Sequence, residues 1–263
     1  MRDMPTPSHP EPQTAMQTVT SNDRTEIAYE MYGEGPPIVL VHGSGETRQA
    51  WNPLYPHLTD RFTVVVPDRR GRGKSGDADA YSLDREVADL CTLLDIFDDD
   101  PAVFGHSFGG LIALEAAQES SLDQLVLYEP ALQTSNDAND LPARMQKRID
   151  NGEREAAMEL FYREEAGLPA PTQLPIWPDR IHFDLAETVV RELRAVQASD
   201  HGSSVDIDCS TLLLTGEQSP DHLRSSINTL QPTLGQCVEL DAVGHVGTQT
   251  APERVANTIQ TDS

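Results

Sequence analysis

A serine hydroxyl is a weak nucleophile at neutral pH until a base takes its proton during attack. One serine in this 263-residue chain stands in a setting suited to that chemistry. Gly105-His106-Ser107-Phe108-Gly109 follows the apolar residues 101–104 and leads into Leu111, Ile112, Ala113 and Leu114. The pattern reads as a strand, a tight turn carrying Ser107 and a helix, the arrangement known as a nucleophile elbow. Such a turn strains the serine dihedrals and brings the strand and helix backbones together, so the positions two before and two after the serine must be small. Gly105, Gly109 and Gly110 meet that demand. A plain glycine-rich turn or a phosphate-binding helix N-terminus has similar glycines. Neither explains histidine and acid candidates at the ends of later predicted strands.

The elements that must position these groups alternate along the chain. Residues 36–42, 62–67, 122–129 and 211–215 are short apolar runs suited to strands buried on both faces. Between them, Val87, Leu90, Cys91 and Leu94 recur at helical spacing, with Ser82 placed as an N-cap. Strands alternating with helices predict an α/β fold, a mostly parallel sheet with helices on both faces. Residues 1–16, rich in Pro, Ser and Thr, read as a disordered tail. Residues 17–132 and 205–263 carry the sheet pattern, whereas 133–204 contain no buried strand. In that second stretch residues 144–165, interrupted at Asn151-Gly152, and residues 184–198 read as helices.

His42-Gly43-Ser44-Gly45, the loop from Asp68 to Ser75, the Ser107 elbow and the late Val243-Gly244-His245 together resemble the α/β-hydrolase superfamily. The resemblance covers roughly residues 26–255 and implies an eight-stranded sheet, Ser107 as nucleophile and His245 as general base. It also implies that 133–204 form a helical cap over the site, with Met158, Phe161, Tyr162, Ile176 and Trp177 as pocket lining or cap core. His245 follows the predicted strand 237–243 and completes the order serine, acid, histidine. His42 and His106 lie in strand-end motifs and read as supports of the turn or the pocket. His57, His182, His201 and His9 lie in a surface-like helix, in the cap region and in the tail.

Negative charge on the carbonyl oxygen requires two backbone N–H donors. One is that of Phe108, directly after the nucleophile; the resemblance assigns the other to Ser44. The acid lies between two candidates. Glu129 ends a buried strand, and the carboxyl ends of strands in open sheets are where sites form. Some relatives take their acid from this sixth strand. The commoner position, after the seventh strand, falls on Ser219, with Asp221 and Glu217 beside it. Ser219-Pro220-Asp221 has a helix-capping explanation, Ser as N-cap, Pro at the first helical position and Asp in the first turn, so Glu129 is preferred. Asp68 reads as the structural anchor of its loop, with Arg69, Arg70 and Arg72 as its ion-pair partners or a solvated face.

Composition adds an independent message. Asp and Glu number 43 against 19 Lys and Arg, a net charge of −24, and Lys74 and Lys147 are the only lysines. An acidic, lysine-poor globular chain resembles cytoplasmic proteins of salt-accumulating microbes, whose high ionic strength shortens the Debye length to about 3 Å at 1 M. Nucleic acid and anionic membranes are poor partners for such a field. The first five residues lack an apolar signal region and no stretch is long enough to span a membrane, so a cytoplasmic location is expected. Cys91, Cys209 and Cys237 lack metal-ligand spacing and read as buried thiols. The expectation is a cofactor-free, metal-free serine hydrolase acting on a small ester, lactone or thioester. The alternatives are a C–C hydrolase, lyase or cofactor-free peroxidase on the same triad, or a small-molecule receptor that does not turn over.

Overall fold

The computed structural model describes residues 10–13, 15–133, 140–173, 177–199 and 205–261. Eight strands, β1 (Gln17–Thr20), β2 (Glu26–Tyr32), β3 (Pro37–Val41), β4 (Thr63–Pro67), β5 (Ala102–His106), β6 (Gln124–Tyr128), β7 (Ser210–Gly216) and β8 (Gln236–Leu240), form one sheet. Their spatial order is β1-β2-β4-β3-β5-β6-β7-β8. β1 and β2 pair antiparallel at one side, and every pairing from β4 to β8 is parallel.

The apolar runs form central strands because both of their faces are covered. Alternate residues of each strand enter different cores. Val39, Val41, Val103, Leu125, Leu127 and Leu213 pack against α1 (Leu83–Leu94), α2 (Phe108–Ala116) and α6 (Asp221–Leu234). Ile38, Leu40, Phe104, Val126, Leu212 and Leu214 pack against Trp51, Leu54, Leu58 and α8 (Pro252–Thr261). The helix read over α1 is present, and the Ser82 hydroxyl caps it by accepting from the Arg85 N–H. The fold is therefore α/β, a mostly parallel sheet with a helical layer on each face.

Between β6 and β7 the chain leaves the sheet as α3 (Leu141–Asp150), α4 (Arg154–Glu164) and α5 (Ala186–Ala198). The break at Asn151-Gly152 falls between α3 and α4, with Gly152 at a φ of 78°. The insertion has its own core, in which Met145, Met158, Phe161, Val189 and Val190 meet. Ile176, His201 and His9 lie outside the described residues, as does most of the stretch read as a tail.

Three local expectations need correction. Ser219 does not cap α6. Its N–H donates to the Gly216 carbonyl, a turn that sends the hydroxyl inward, and Pro220 takes the cap position instead. Asp68 does anchor its loop, accepting from the N–H groups of Arg48 and Lys74, but its ion-pair partner is Arg48. Arg69, Arg70 and Arg72 are buried and pair elsewhere. The three cysteines are free but only half-buried.

Candidate active site

The elbow is built by steric demand. Ser107 sits between β5 and α2 at φ 55° and ψ −122°, a conformation that costs a non-glycine residue on the order of 1–3 kcal/mol. The turn is pinned by the Ser107 N–H bond to the Tyr128 carbonyl, 3.0 Å, and by Ala131 N–H to the Ser107 carbonyl, also 3.0 Å. A Cβ at Gly105 would stand 2.6 Å from the Gly110 Cα, and one at Gly109 would collide with the carbonyl oxygens of Val41 and His42. The elbow glycines are thus the condition for α2 to lie against β5 and β3. Ser107 remains half-buried, and its Oγ makes no hydrogen bond among the described residues. Hydroxyl–imidazole contacts often tighten only around bound substrate.

His245 lies on the loop after β8, held by side chains from two neighbouring strands. Tyr128 Oη donates to the Gly244 carbonyl at 2.6 Å, and His106 Nε2 donates to the His245 carbonyl at 2.9 Å. Burial, then the charge of His245, brings the His106 pKa down to about 3, so its ring is neutral. The imidazole of His245 lies 4.6 Å from that of His106, centroid to centroid. His245 Nδ1 is 2.6 Å from Glu129 Oε2. That contact requires the proton on Nδ1, which leaves Nε2 as an acceptor.

Glu129 follows β6 with a φ of 45°, a left-handed conformation rare for glutamate. Its carboxylate is fully buried. Oε1 accepts from Thr215 Oγ1 and from the Gly216 N–H, each at 2.8 Å, and Oε2 faces His245. Burial alone would raise its pKa. The hydrogen bond and charge of His245, with the Ser219 hydroxyl and the Gly216 N–H alongside, bring it instead to about 2, below the usual carboxylate range. Ser219, at the commoner acid position, places its hydroxyl beside this carboxylate without reaching hydrogen-bond geometry. Asp221 opens α6 at the surface.

The loop after β3 closes over the elbow. A Cβ on Gly43 would come within 3.2 Å of Ser107 Cβ, so Gly43-Ser44 passes directly above the serine. The Gly43 N–H donates to Glu46 Oε2 at 3.1 Å, and Gln249 holds the other Glu46 oxygen at 2.9 Å. The N–H groups of Ser44 and Phe108 donate to no other group among the described residues. Gly45, at φ 70°, lies against α4, where an added Cβ would meet Met158 Cε at 3.1 Å and Tyr162 Oη at 3.4 Å. The helical insertion therefore packs on this loop.

Glu46, Glu165 and Glu192 had no role in the sequence-based expectations, and Arg69 was expected only as a partner of Asp68 or a solvated charge. Burial raises Glu46 and Glu165 despite the opposing charge of His245. Arg69 and Glu192 meet beside the loop at 2.5 Å. Glu46, directly after the His42–Gly45 motif, and Arg69, within the Asp68–Ser75 loop, carried a local signal; Glu165 at the C-terminal end of α4 and Glu192 within α5 depend on tertiary packing for their placement. Among the described residues no group of three His, Cys, Asp or Glu is arranged to hold a metal ion. No helix among them is long and apolar enough to cross a membrane.

A sequence profile of the Alpha/beta hydrolase family matches residues 38–258, and the chain belongs to that family. Over 252 residues it is 23% identical to the (E)-2-((N-methylformamido)methylene)succinate hydrolase of Acinetobacter baylyi, covering 91% of this chain and 94% of that protein. It is 35% identical over 106 residues to an uncharacterized protein of Mycobacterium tuberculosis, a match spanning 38% of this chain and 30% of the relative. An alpha/beta hydrolase from Sphaerobacter thermophilus superposes with a TM-score of 0.77 at 29% identity, covering 94% of this chain and 99% of the other.

Proposed function

We propose that this chain is a serine hydrolase that cleaves a small ester, lactone or thioester through an acyl-enzyme, with Ser107 as nucleophile, His245 as general base and Glu129 as the acid that orients it. The observation that carries the reading is one arrangement. A strained serine at the β5–α2 turn lies beneath the Gly43 loop, and a buried carboxylate 2.6 Å from His245 Nδ1 fixes the imidazole tautomer. Membership of a hydrolase family and the hydrolase activity named for the Acinetobacter relative support the same reaction class.

His245 Nε2 takes the Ser107 proton as Oγ attacks the substrate carbonyl. The oxygen that gains charge is met by the N–H groups of Ser44 and Phe108, each worth about 2.7–4 kcal/mol in comparable sites. Collapse of the tetrahedral intermediate expels the alcohol or thiol, which takes its proton from His245. Water, activated by the same nitrogen, then releases the acid and restores the serine. Glu129 stays ionised throughout and stabilises the imidazolium. The insertion serves as a cap, since α4 sets Met158 and Tyr162 against the Gly45 end of the loop.

A fluorophosphonate probe tests the central assignment. It should label the wild-type protein at Ser107, and Ser107→Ala should abolish both labelling and p-nitrophenyl acetate hydrolysis while retaining its circular dichroism spectrum. Undiminished labelling of a folded Ser107→Ala variant would refute the reading.

A further inference from the structure

Arg69 lies two residues beyond the end of β4, is 4% exposed, and is bound on every side. Its Nη2 meets Glu86 Oε1 at 2.8 Å and Glu192 Oε1 at 2.5 Å, while Nε donates to Glu86 Oε2 at 3.2 Å. Glu86 belongs to α1 in the sheet-bearing core; Glu192 belongs to α5 in the insertion. Burial would raise the Glu192 pKa, but Arg69 and Arg72 outweigh it and hold the carboxyl below its ordinary range. Two carboxylates from separate parts of the chain therefore fix one guanidinium.

The remaining nitrogen of that fork points at the loop above Ser107. Arg69 Nη1 donates to the Gly43 carbonyl at 3.1 Å and to the His42 carbonyl at 3.2 Å. The Gly43 carbonyl also faces His42 Nδ1 at 3.0 Å. His42 Nε2 accepts from the Arg69 N–H at 3.3 Å, which puts the imidazole proton on Nδ1 and makes that ring a donor to Gly43 as well. In a trans peptide the C=O and N–H point in opposite directions. Anchoring the Gly43 oxygen to Arg69 and His42 therefore aims the N–H of the same peptide, that of Ser44, the other way. The guanidinium carbon also lies 4.7 Å from the centroid of the Phe108 ring.

We infer that Arg69 is a positioning residue: by holding the Gly43 carbonyl it sets and polarises the Ser44 N–H as an oxyanion donor, and through Glu192 it makes that donor dependent on docking of the insertion. The inference rests on Ser107 being the nucleophile, and it explains why a charge cluster is buried beside a catalytic loop where apolar packing would be the less demanding solution.

Arg69→Lys tests it, because lysine keeps the buried charge but cannot span Glu86, Glu192 and the Gly43 carbonyl together. With p-nitrophenyl acetate at molar KCl, and sites counted by end-point fluorophosphonate titration, kcat per site should fall by about 10² to 10³ with KM within threefold. Affinity for a trifluoromethyl ketone, which forms a tetrahedral hemiketal with serine, should fall by a similar factor. A purely structural role would lower thermal stability and leave both quantities per titrated site unchanged. A folded variant with kcat and ketone affinity within threefold of wild type overturns the inference and leaves Ser107 in place. A wild-type protein that binds neither probe at Ser107 overturns both. If Arg69→Lys does not fold, Arg69→Met/Glu86→Gln removes one buried charge of each sign, leaves Glu192 paired with Arg72, and is judged by the same two readouts.

Discussion

Replacing Glu129 by glutamine probes the site most sharply, because the structure dictates how the amide must sit. The wild-type Oε1 accepts from Thr215 Oγ1 and the Gly216 N–H, each at 2.8 Å, and Oε2 accepts from His245 Nδ1 at 2.6 Å. Glutamine offers one acceptor and one donor. If its oxygen keeps Thr215 and Gly216, its NH₂ faces His245, which can then be bonded only with Nδ1 as acceptor and the proton on Nε2. The flipped amide would oppose two donors at Gly216, so the first arrangement wins. In that arrangement Nε2 carries a proton and cannot accept the one the proposed mechanism takes from Ser107, and in either arrangement the carboxylate charge that would stabilise an imidazolium is gone. Loss of an orienting carboxylate in comparable triads costs up to about 10⁴ in kcat, or about 5 kcal/mol at 1.36 kcal/mol per factor of ten. Hydrolysis of p-nitrophenyl acetate at molar KCl is the assay, with circular dichroism as the folding control and imidazole ¹⁵N shifts to report the tautomer. Asp221→Asn, at the exposed start of α6, should cost only about 0.3–1 kcal/mol of stability and little turnover. A folded Glu129→Gln enzyme retaining more than a tenth of wild-type kcat, or a large loss from Asp221→Asn instead, would refute the reasoning.

Two further outcomes are expected. Lowering KCl from 1 M to 10 mM lengthens the Debye length from about 3 Å to about 30 Å, and a chain at −24 should melt at lower temperature as its carboxylates begin to repel; a melting temperature that is flat or falls with added salt would remove the salt-adapted reading. Gly109→Ala drives a methyl group into the carbonyls of Val41 and His42, so denaturant titration should show a loss of more than about 3 kcal/mol or no folded protein, and near-wild-type stability would contradict the described packing of α2 on β3.

The central strands were legible because parallel strands buried on both faces must be written as continuous apolar runs, as in Ile38, Val39, Leu40 and Val41. β1 and β2 left no such trace. β1 alternates between half-buried and exposed positions, and β2 carries Glu26, Glu30 and half-buried Met31, so neither reads as a buried run. The elbow was legible for a steric reason, since only glycine fits at 105 and 109. Of the two acid candidates, both at element boundaries in the sequence, Glu129 was preferred because it ends a buried strand, and what only coordinates add is its φ of 45° and a side chain directed at His245. The inward turn of Ser219 and the partners of Arg69 were hidden for a related reason. A polar residue at the end of an element reads as a cap or a solvated charge until the fold brings a distant partner to it, and Glu192 is more than a hundred residues from Arg69.

The Glu192 contact also bears on modularity. Helical inserts on this type of scaffold invite exchange, as though the sheet were a chassis and the insert a replaceable fitting. In this chain a graft that omitted the carboxylate at position 192 would strand Arg72 and half-strand Arg69 in a dry interior. Removing one partner of a buried pair costs about 3–5 kcal/mol, a large share of a typical domain's stability. A transplanted insert must therefore bring its own acid to that spot, or be accompanied by neutral replacements at 69 and 72. The unit of exchange is the three helices together with the strand-end loop they neutralise.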